Sequence, residues 1–182
     1  NGIIKEAPRK PKFPNIIIGN NKKSLIAMKT KSKKLGYSSD VIFNLNSNVK
    51  VEARKIARKL KNSSKSCIIF GGETTVNVLG RGKGGRNQEL VLQLSKELRN
   101  FPCVISSIGT DGIDGNTKFA GAIVSTINLG QFENFLKNND SFNFFKKFGG
   151  LIHTGPTHTN INDIGIIRPN PKNPEAIKNK VW

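Results

Sequence analysis

Cysteine, histidine and acidic side chains are all scarce in this chain, and each shortage removes a class of protein. Two cysteines in 182 residues, Cys67 and Cys103, cannot form the disulfide framework that staples small secreted domains. Each sits in an apolar, strand-like run, so both read as small buried hydrophobes, and a reducing cytoplasm is the expected location. The two histidines, His153 and His158, bracket a Gly-Pro loop without a cysteine beside them, which is poor spacing for zinc. No apolar run approaches the length of a membrane span, and no signal-peptide pattern opens the chain. Acidic residues number 12 against 30 Lys+Arg, for a formal net charge of +18. Such an excess suits nucleic acid or an anionic surface. Here the lysines are scattered among abundant Asn and Ile, a mixture that A/T-rich codons explain, and no aromatic-rich basic strip accompanies them. Neither nucleic acid nor membrane is an expected partner.

What is present is enough for one packed domain. Residues 1–14, with Pro8, Pro11 and Pro14, read as a linker or extended arm. Asn15–Gly19 reads as a short buried strand, followed by a helix to about Leu35, a strand at Val41–Phe43 and a helix over Ser47–Lys61. Val49, Ala53, Ile56, Ala57 and Leu60 line one face of that second helix. Strands at Cys67–Phe70 and Thr74–Leu79, a helix over Asn87–Arg99, and strands at Cys103–Ile108 and Ala122–Val124 come next. Two short Phe-rich helices precede a closing strand at Ile164–Ile167. Residues 168–182 read as a tail. Strands alternating with helices predict an α/β fold of three layers, with a mostly parallel or mixed sheet and helices on both faces.

One stretch, Gly71 to Glu89, organises the rest. A strand stops at paired glycines, and a glycine-dense loop carrying Arg81, Lys83 and Arg86 leads into a helix. Glycines let backbone approach an anion, and the first N–H groups of a helix have no intrahelical partner. An anion is expected to sit near Gly85 to Gln88. Gly80-x-Gly82-x-x-Gly85 spells the dinucleotide fingerprint, but the strand at Cys103–Ile108 ends without the acidic residue that fingerprint needs. A nucleoside-triphosphate P-loop wants Ser or Thr after Gly-Lys, and Lys83 is followed by Gly84. A plain glycine turn with solvated basic residues is the alternative.

Three further runs stand beside this one: Gly109-Thr110-Asp111-Gly112-Ile113-Asp114-Gly115, Ala120 to Val124, and Thr154-Gly155-Pro156-Thr157-His158-Thr159-Asn160-Ile161-Asn162-Asp163. Together the four resemble the C-terminal MOFRL domain of the glycerate 2-kinase family, whose members are often labelled hydroxypyruvate reductases. The resemblance runs from about Asn15 to Ile167. Lys118, Asn116 and His158 stand where aspartate, proline and glycine are usual. The resemblance implies transfer of the γ-phosphate of ATP to the 2-hydroxyl of D-glycerate, giving 2-phosphoglycerate, with Mg²⁺. It also implies a larger N-terminal kinase domain of the same protein, absent from this chain, so that the site is a cleft between halves and the chain alone is inactive. A reductase using NAD(P)H and a non-catalytic ligand- or partner-binding domain are the alternatives.

Phosphoryl transfer rests on positioning and charge stabilisation. Arg86 and Asp111 are the expected catalytic pair, Arg86 on the phosphate and Asp111, with Asp114, on the metal, since Mg²⁺ takes carboxylate oxygens. Neither provides apolar packing, so replacing either is expected to leave stability unchanged. Expected phosphate- or substrate-binding residues are Gly72, Glu73 and Thr74, Lys83, Gly84, Gly85 and Asn87, Gly109 and Thr110, and Thr154, Thr157 and Asn160. Asp163 is expected to brace the last loop.

Overall fold

The structure, a computed structural model, describes residues 14, 16–126 and 132–170. The predicted arm, apart from Pro14, and the predicted tail beyond Asn170 lie outside the described residues. Among them the chain forms α1 (Asn21–Lys34), β1 (Ser39–Leu45), α2 (Val49–Lys61), β2 (Cys67–Gly72), α3 (Arg86–Glu97), β3 (Cys103–Gly109), β4 (Gly121–Ser125), α4 (Glu133–Lys137), α5 (Ser141–Phe148), β5 (Leu151–Ile152) and β6 (Asp163–Pro169).

The sheet is the mixed form of the expectation, in the order β1-β2-β6-β3-β4-β5. Only β1 and β2 pair in parallel, joined through α2. β6 returns from the far end of the chain and inserts between β2 and β3, antiparallel to both. β3–β4 and β4–β5 are also antiparallel. The consequence for the site is one of register. Asp163, the first residue of β6, faces Gly72 at the end of β2 and Gly109 at the end of β3.

Alternation along the strands shows which face meets what. Ile68 and Phe70 of β2, Ile105 of β3 and Ile167 of β6 join the core under α2 and α3, while Gly71 faces Leu25 of α1 on the other side. Covered on both faces, β2 is a continuous apolar run rather than an alternating one. Phe70 lies across the sheet from Gly165, and a Cβ there would stand 2.2 Å from the Phe70 ring. α2 buries the predicted stripe of Val49, Ala53, Ile56, Ala57 and Leu60. At about 1.5–3 kcal/mol for each fully buried large aliphatic side chain, this stripe fixes α2 to the sheet. α3 is buried on almost every side, from Asn87 to Ser95, because it lies between the sheet, α2 and α5. Phe132, Phe144 and Phe145 complete the core, with Phe132 and Phe144 edge to face at 6.5 Å.

Two expected strands are absent. Ile16, Ile17 and Ile18 are unpaired and 82%, 64% and 93% exposed, so this run is not a core strand. Thr74–Leu79 makes a single isolated bridge, Thr75 to Asn48, and Val78 and Leu79 are exposed. β5 was not expected, and β6 extends the closing strand from Ile164–Ile167 to Asp163–Pro169.

Candidate active site at the strand ends

Five of the chain's scarce acidic residues, Glu73, Glu89, Asp111, Asp114 and Asp163, gather around the entrance of α3 and the ends of β2 and β3. At their centre is Arg86, the first residue of α3. Its Nε donates to Asp163 Oδ2 at 2.6 Å and its Nη2 to Asp163 Oδ1 at 3.1 Å, a two-pronged contact. Its Nη1 reaches Glu73 Oε1 at 3.1 Å. The two carboxylates differ. Asp163 is buried, and burial raises its pKa while Arg86 works against that rise. Glu73 is 55% exposed. Hydrogen bonding to Asp163 raises the pKa of Arg86, so the guanidinium stays charged. Asp163 thus braces Arg86 rather than only its own loop.

The helix entrance expected to hold an anion already holds one. Gly85, at the N-cap of α3, has no side chain to cap with. Asp114 caps instead: Oδ1 accepts from Asn87 N at 2.9 Å and Asn87 Nδ2 at 3.2 Å, and Oδ2 from Gln88 N at 2.9 Å. A Cβ on Gly85 would lie 2.3 Å from Asp114 Cγ, so glycine is what allows this approach. Burial pushes the Asp114 carboxyl up to about 6 against the pull of those donors. With both oxygens engaged, Asp114 is a cap rather than a metal ligand. Asn87, expected to touch substrate, is buried, and its Oδ1 accepts from Ser107 Oγ at 2.6 Å.

Nor is the glycine loop an open phosphate cradle. Leu79 N and Gly80 N donate to Asn139 Oδ1, Arg81 N to Asn138 Oδ1, Gly82 N to Asn138 O, Lys83 N to Asp140 Oδ1 and Gly84 N to Asn116 Oδ1. Its glycines let it lie against Asn138–Ser141; a Cβ on Gly80 would stand 2.2 Å from Asn138 O. Lys83 lies over the Phe142 ring at 4.8 Å, exposed. The segment before the loop is not a strand, so Gly80-x-Gly82-x-x-Gly85 lacks the strand-to-helix turn that the dinucleotide fingerprint requires. Gly72, with φ +148, passes against Leu45, where a Cβ would meet Leu45 O at 2.2 Å.

Beyond β3 the structure joins the other two motif loops. Thr110 Oγ1 donates to Asn162 O at 2.7 Å and accepts from Ile161 N at 2.9 Å. Thr157 Oγ1 donates to Thr110 O, and Asn160 Nδ2 lies 3.5 Å from Asp111 Oδ2. Asp111 Oδ1 accepts from Ile113 N at 3.1 Å. Thr154 turns to Gly155 O, and Gly109 is buried with its N–H on Ala120 O. Arg86, bonded to Asp163, and Asp111, two residues beyond the Gly109 that pairs with Asp163, lie at the same end of the sheet. His158, where glycine is usual, has φ 56, the left-handed conformation that glycine takes without cost. Asn116, where proline is usual, ties down Gly84. His153 packs edge-on to Phe119. Among the described residues no group of three or more His, Cys, Asp or Glu is arranged to hold a metal ion. Among the described residues no helix is long and apolar enough to cross a membrane.

Residues 66–163, the part that builds this site, match the MOFRL family model. The chain belongs to the MOFRL family. It is 38% identical to the D-glycerate 2-kinase of Thermotoga maritima over 91% of this chain and 44% of that protein. It is 45% identical to the glycerate kinase of Rattus norvegicus over 58% of this chain and 23% of that one. The crystal structure of glycerate kinase from Thermotoga maritima superposes with a TM-score of 0.77 and 37% identity, over 84% of this chain and 41% of that chain. The chain thus spans less than half the length of these relatives.

Proposed function

We propose that this chain is the C-terminal part of a glycerate 2-kinase, a cytoplasmic enzyme that moves the γ-phosphate of ATP to the 2-hydroxyl of D-glycerate. The observation that carries the reading is Arg86, held from behind by Asp163 at the strand ends, within a family whose relatives are glycerate kinases. Asp163 fixes Nε and Nη2, so the planar group turns Nη1 toward exposed Glu73. An incoming phosphate oxygen would displace exposed Glu73 from that Nη1 and gain a charge-assisted hydrogen bond. The bond strengthens as charge develops on the transferring group, which lowers the barrier. Thr157 and Asn160, beside Asp111, supply hydroxyl and amide groups for a small hydroxy acid.

For Mg²⁺ the donor set fits in part. Asp114 is committed to α3, but Asp111 keeps Oδ2 with only a long contact to Asn160. One such carboxylate suffices for a cation that retains waters and takes phosphate oxygens. Held by Asp111, Mg²⁺ would supply positive charge to offset that of the phosphates. The opposite wall of the cleft, and the group that takes the hydroxyl proton, would come from the rest of the polypeptide. Glycerate-dependent release of ADP by the full-length protein tests this reading. The 182-residue chain alone should show almost none, because half a cleft cannot hold both reactants in line; robust turnover by the chain alone overturns the two-part site.

A further inference from the structure

A cavity of about 470 Å³ opens beside the glycine loop. Its walls are the Thr74–Val78 segment and the loop from Gly82 to Arg86, with Glu89, Asn116, Asn139 and Ser141 completing the lining. The expected site residues included none of these last four.

Three of the lining side chains are buried and polar. Ser141, the first residue of α5, is 1% exposed, and among the described residues its Oγ has no hydrogen-bond partner. A buried hydroxyl without a partner is unusual, since such groups are almost always satisfied. Gly84 lies directly against that buried oxygen: a Cβ there would stand 2.1 Å from it. Glu89, 2% exposed, is hydrogen-bonded by Gln93 and by the Asn139 amide at 3.5 Å and attracted by Lys50, yet burial raises its carboxyl to about 6. Thr74 is 4% exposed. Val76 and Val78 give the same cavity an apolar flank.

This arrangement selects a ligand chemistry. The Glu89 carboxyl repels a phosphate or carboxylate but accepts from a hydroxyl, while Ser141 both donates and accepts. The cationic group on the lining, Arg86, is the one that Asp163 holds at the strand ends. We infer that this cavity is a hydroxyl-recognition subsite, in which Glu89 and Ser141 bind hydroxyls of a substrate whose anionic group lies toward Arg86. Two substrates of the proposed reaction carry that chemistry, the ribose of the nucleotide and the hydroxyls of glycerate; the inference rests on the kinase reading for these identities. The cavity volume lies in the range of small-molecule sites and admits either.

The test uses the full-length protein with Ser141→Ala and Glu89→Gln. Steady-state kinetics are measured with ATP against 2′-deoxy-ATP and 3′-deoxy-ATP, and with D-glycerate against D-lactate, which lacks the 3-hydroxyl. Ser141→Ala should reduce kcat/KM for one substrate about tenfold, chiefly through KM, the loss expected for one hydrogen bond to a hydroxyl. It should also abolish discrimination between that substrate and its deoxy analogue, which a structural defect elsewhere would not do. The arm that responds identifies the source of the hydroxyl. Removing an unpaired hydroxyl leaves no partner stranded, so thermal stability should hold. Adenosine and glycerate binding, followed by ligand-observed NMR on the same protein, provides a readout independent of turnover. If the enzyme turns over while both variants keep wild-type KM values and deoxy discrimination, the subsite is wrong and the kinase reading stands. If no glycerate-dependent turnover occurs but Ser141→Ala still weakens saturable binding, the kinase reading falls and the subsite stands.

Discussion

Breaking the Arg86–Asp163 pair should destabilise the fold as well as the chemistry, contrary to the expectation that Arg86 contributes no stability. Asp163 is 6% exposed and lies between two strand ends, and Arg86 offers it two hydrogen bonds. Removing one partner of a fully buried pair typically costs about 3–5 kcal/mol, because the other charge is left behind. Arg86 is 35% exposed, so water partly screens the loss, and Arg86→Ala should cost about 2–3 kcal/mol. The Glu73 arm, 55% exposed, contributes under about 1 kcal/mol of that. Arg86→Lys keeps charge without the fork and should cost about half as much. Asp163→Asn leaves no buried anion, so adding Arg86→Ala to it should do little further harm. Urea denaturation of the two single variants and the double variant gives the coupling, expected at about 1.5 kcal/mol or more. A coupling below about 0.5 kcal/mol would mean that Asp163 is satisfied without Arg86, and the bracing argument would fail.

Asp111→Asn in the full-length protein should lower kcat by on the order of 10²–10³ with an unchanged urea midpoint; near-normal turnover removes Asp111 from the site. Asp114 makes a pH prediction. Its folded pKa, about 6, lies above the ordinary 3.8, so the folded state holds the proton more tightly than the unfolded. The stability it contributes is fully present below about 3.8 and lost as pH rises through about 6, a difference of about 3 kcal/mol. Asp114→Asn cannot titrate, so wild type should lose stability relative to this variant from about pH 4 to pH 7; parallel curves would contradict the burial argument. His158→Gly should raise stability, by up to about 1 kcal/mol, by relieving a left-handed φ of 56, and a loss in the denaturation midpoint would show that the imidazole matters more.

The elements with long-period patterns were legible: the buried stripe of α2 is the one its spacing predicts. The short apolar runs at Val41–Phe43, Cys67–Phe70, Cys103–Ile108, Ala122–Val124 and Ile164–Ile167 are strands as expected, but two other runs misled. Ile16–Ile18 has the composition of a core strand, and nothing local distinguishes it from an exposed segment. The alternation of Thr74, Val76 and Val78 misled in the same way, since a strand needs a neighbour and none pairs with it beyond Thr75. The insertion of β6 between β2 and β3 depends on pairing across more than fifty residues, which periodicity does not encode. At the site, several of the motif residues bond one another. Asp114 could have been foreseen as a cap: Gly85-Arg86-Asn87 offers no Ser, Thr, Asp or Asn at the N-cap, so α3 needed an acceptor from elsewhere. The Asn138-Asn139-Asp140 run, which satisfies the loop amides, carried a similar signal of side chains suited to bonding backbone.

The central claim is that this site serves phosphoryl transfer to a hydroxy acid. The most direct measurement is ³¹P NMR of the full-length protein incubated with ATP, Mg²⁺ and D-glycerate, beside a parallel incubation with NADH and hydroxypyruvate. The account predicts 2-phosphoglycerate appearing in step with ADP, and no oxidation of NADH. Hydroxypyruvate-dependent NADH oxidation without ADP formation would contradict it.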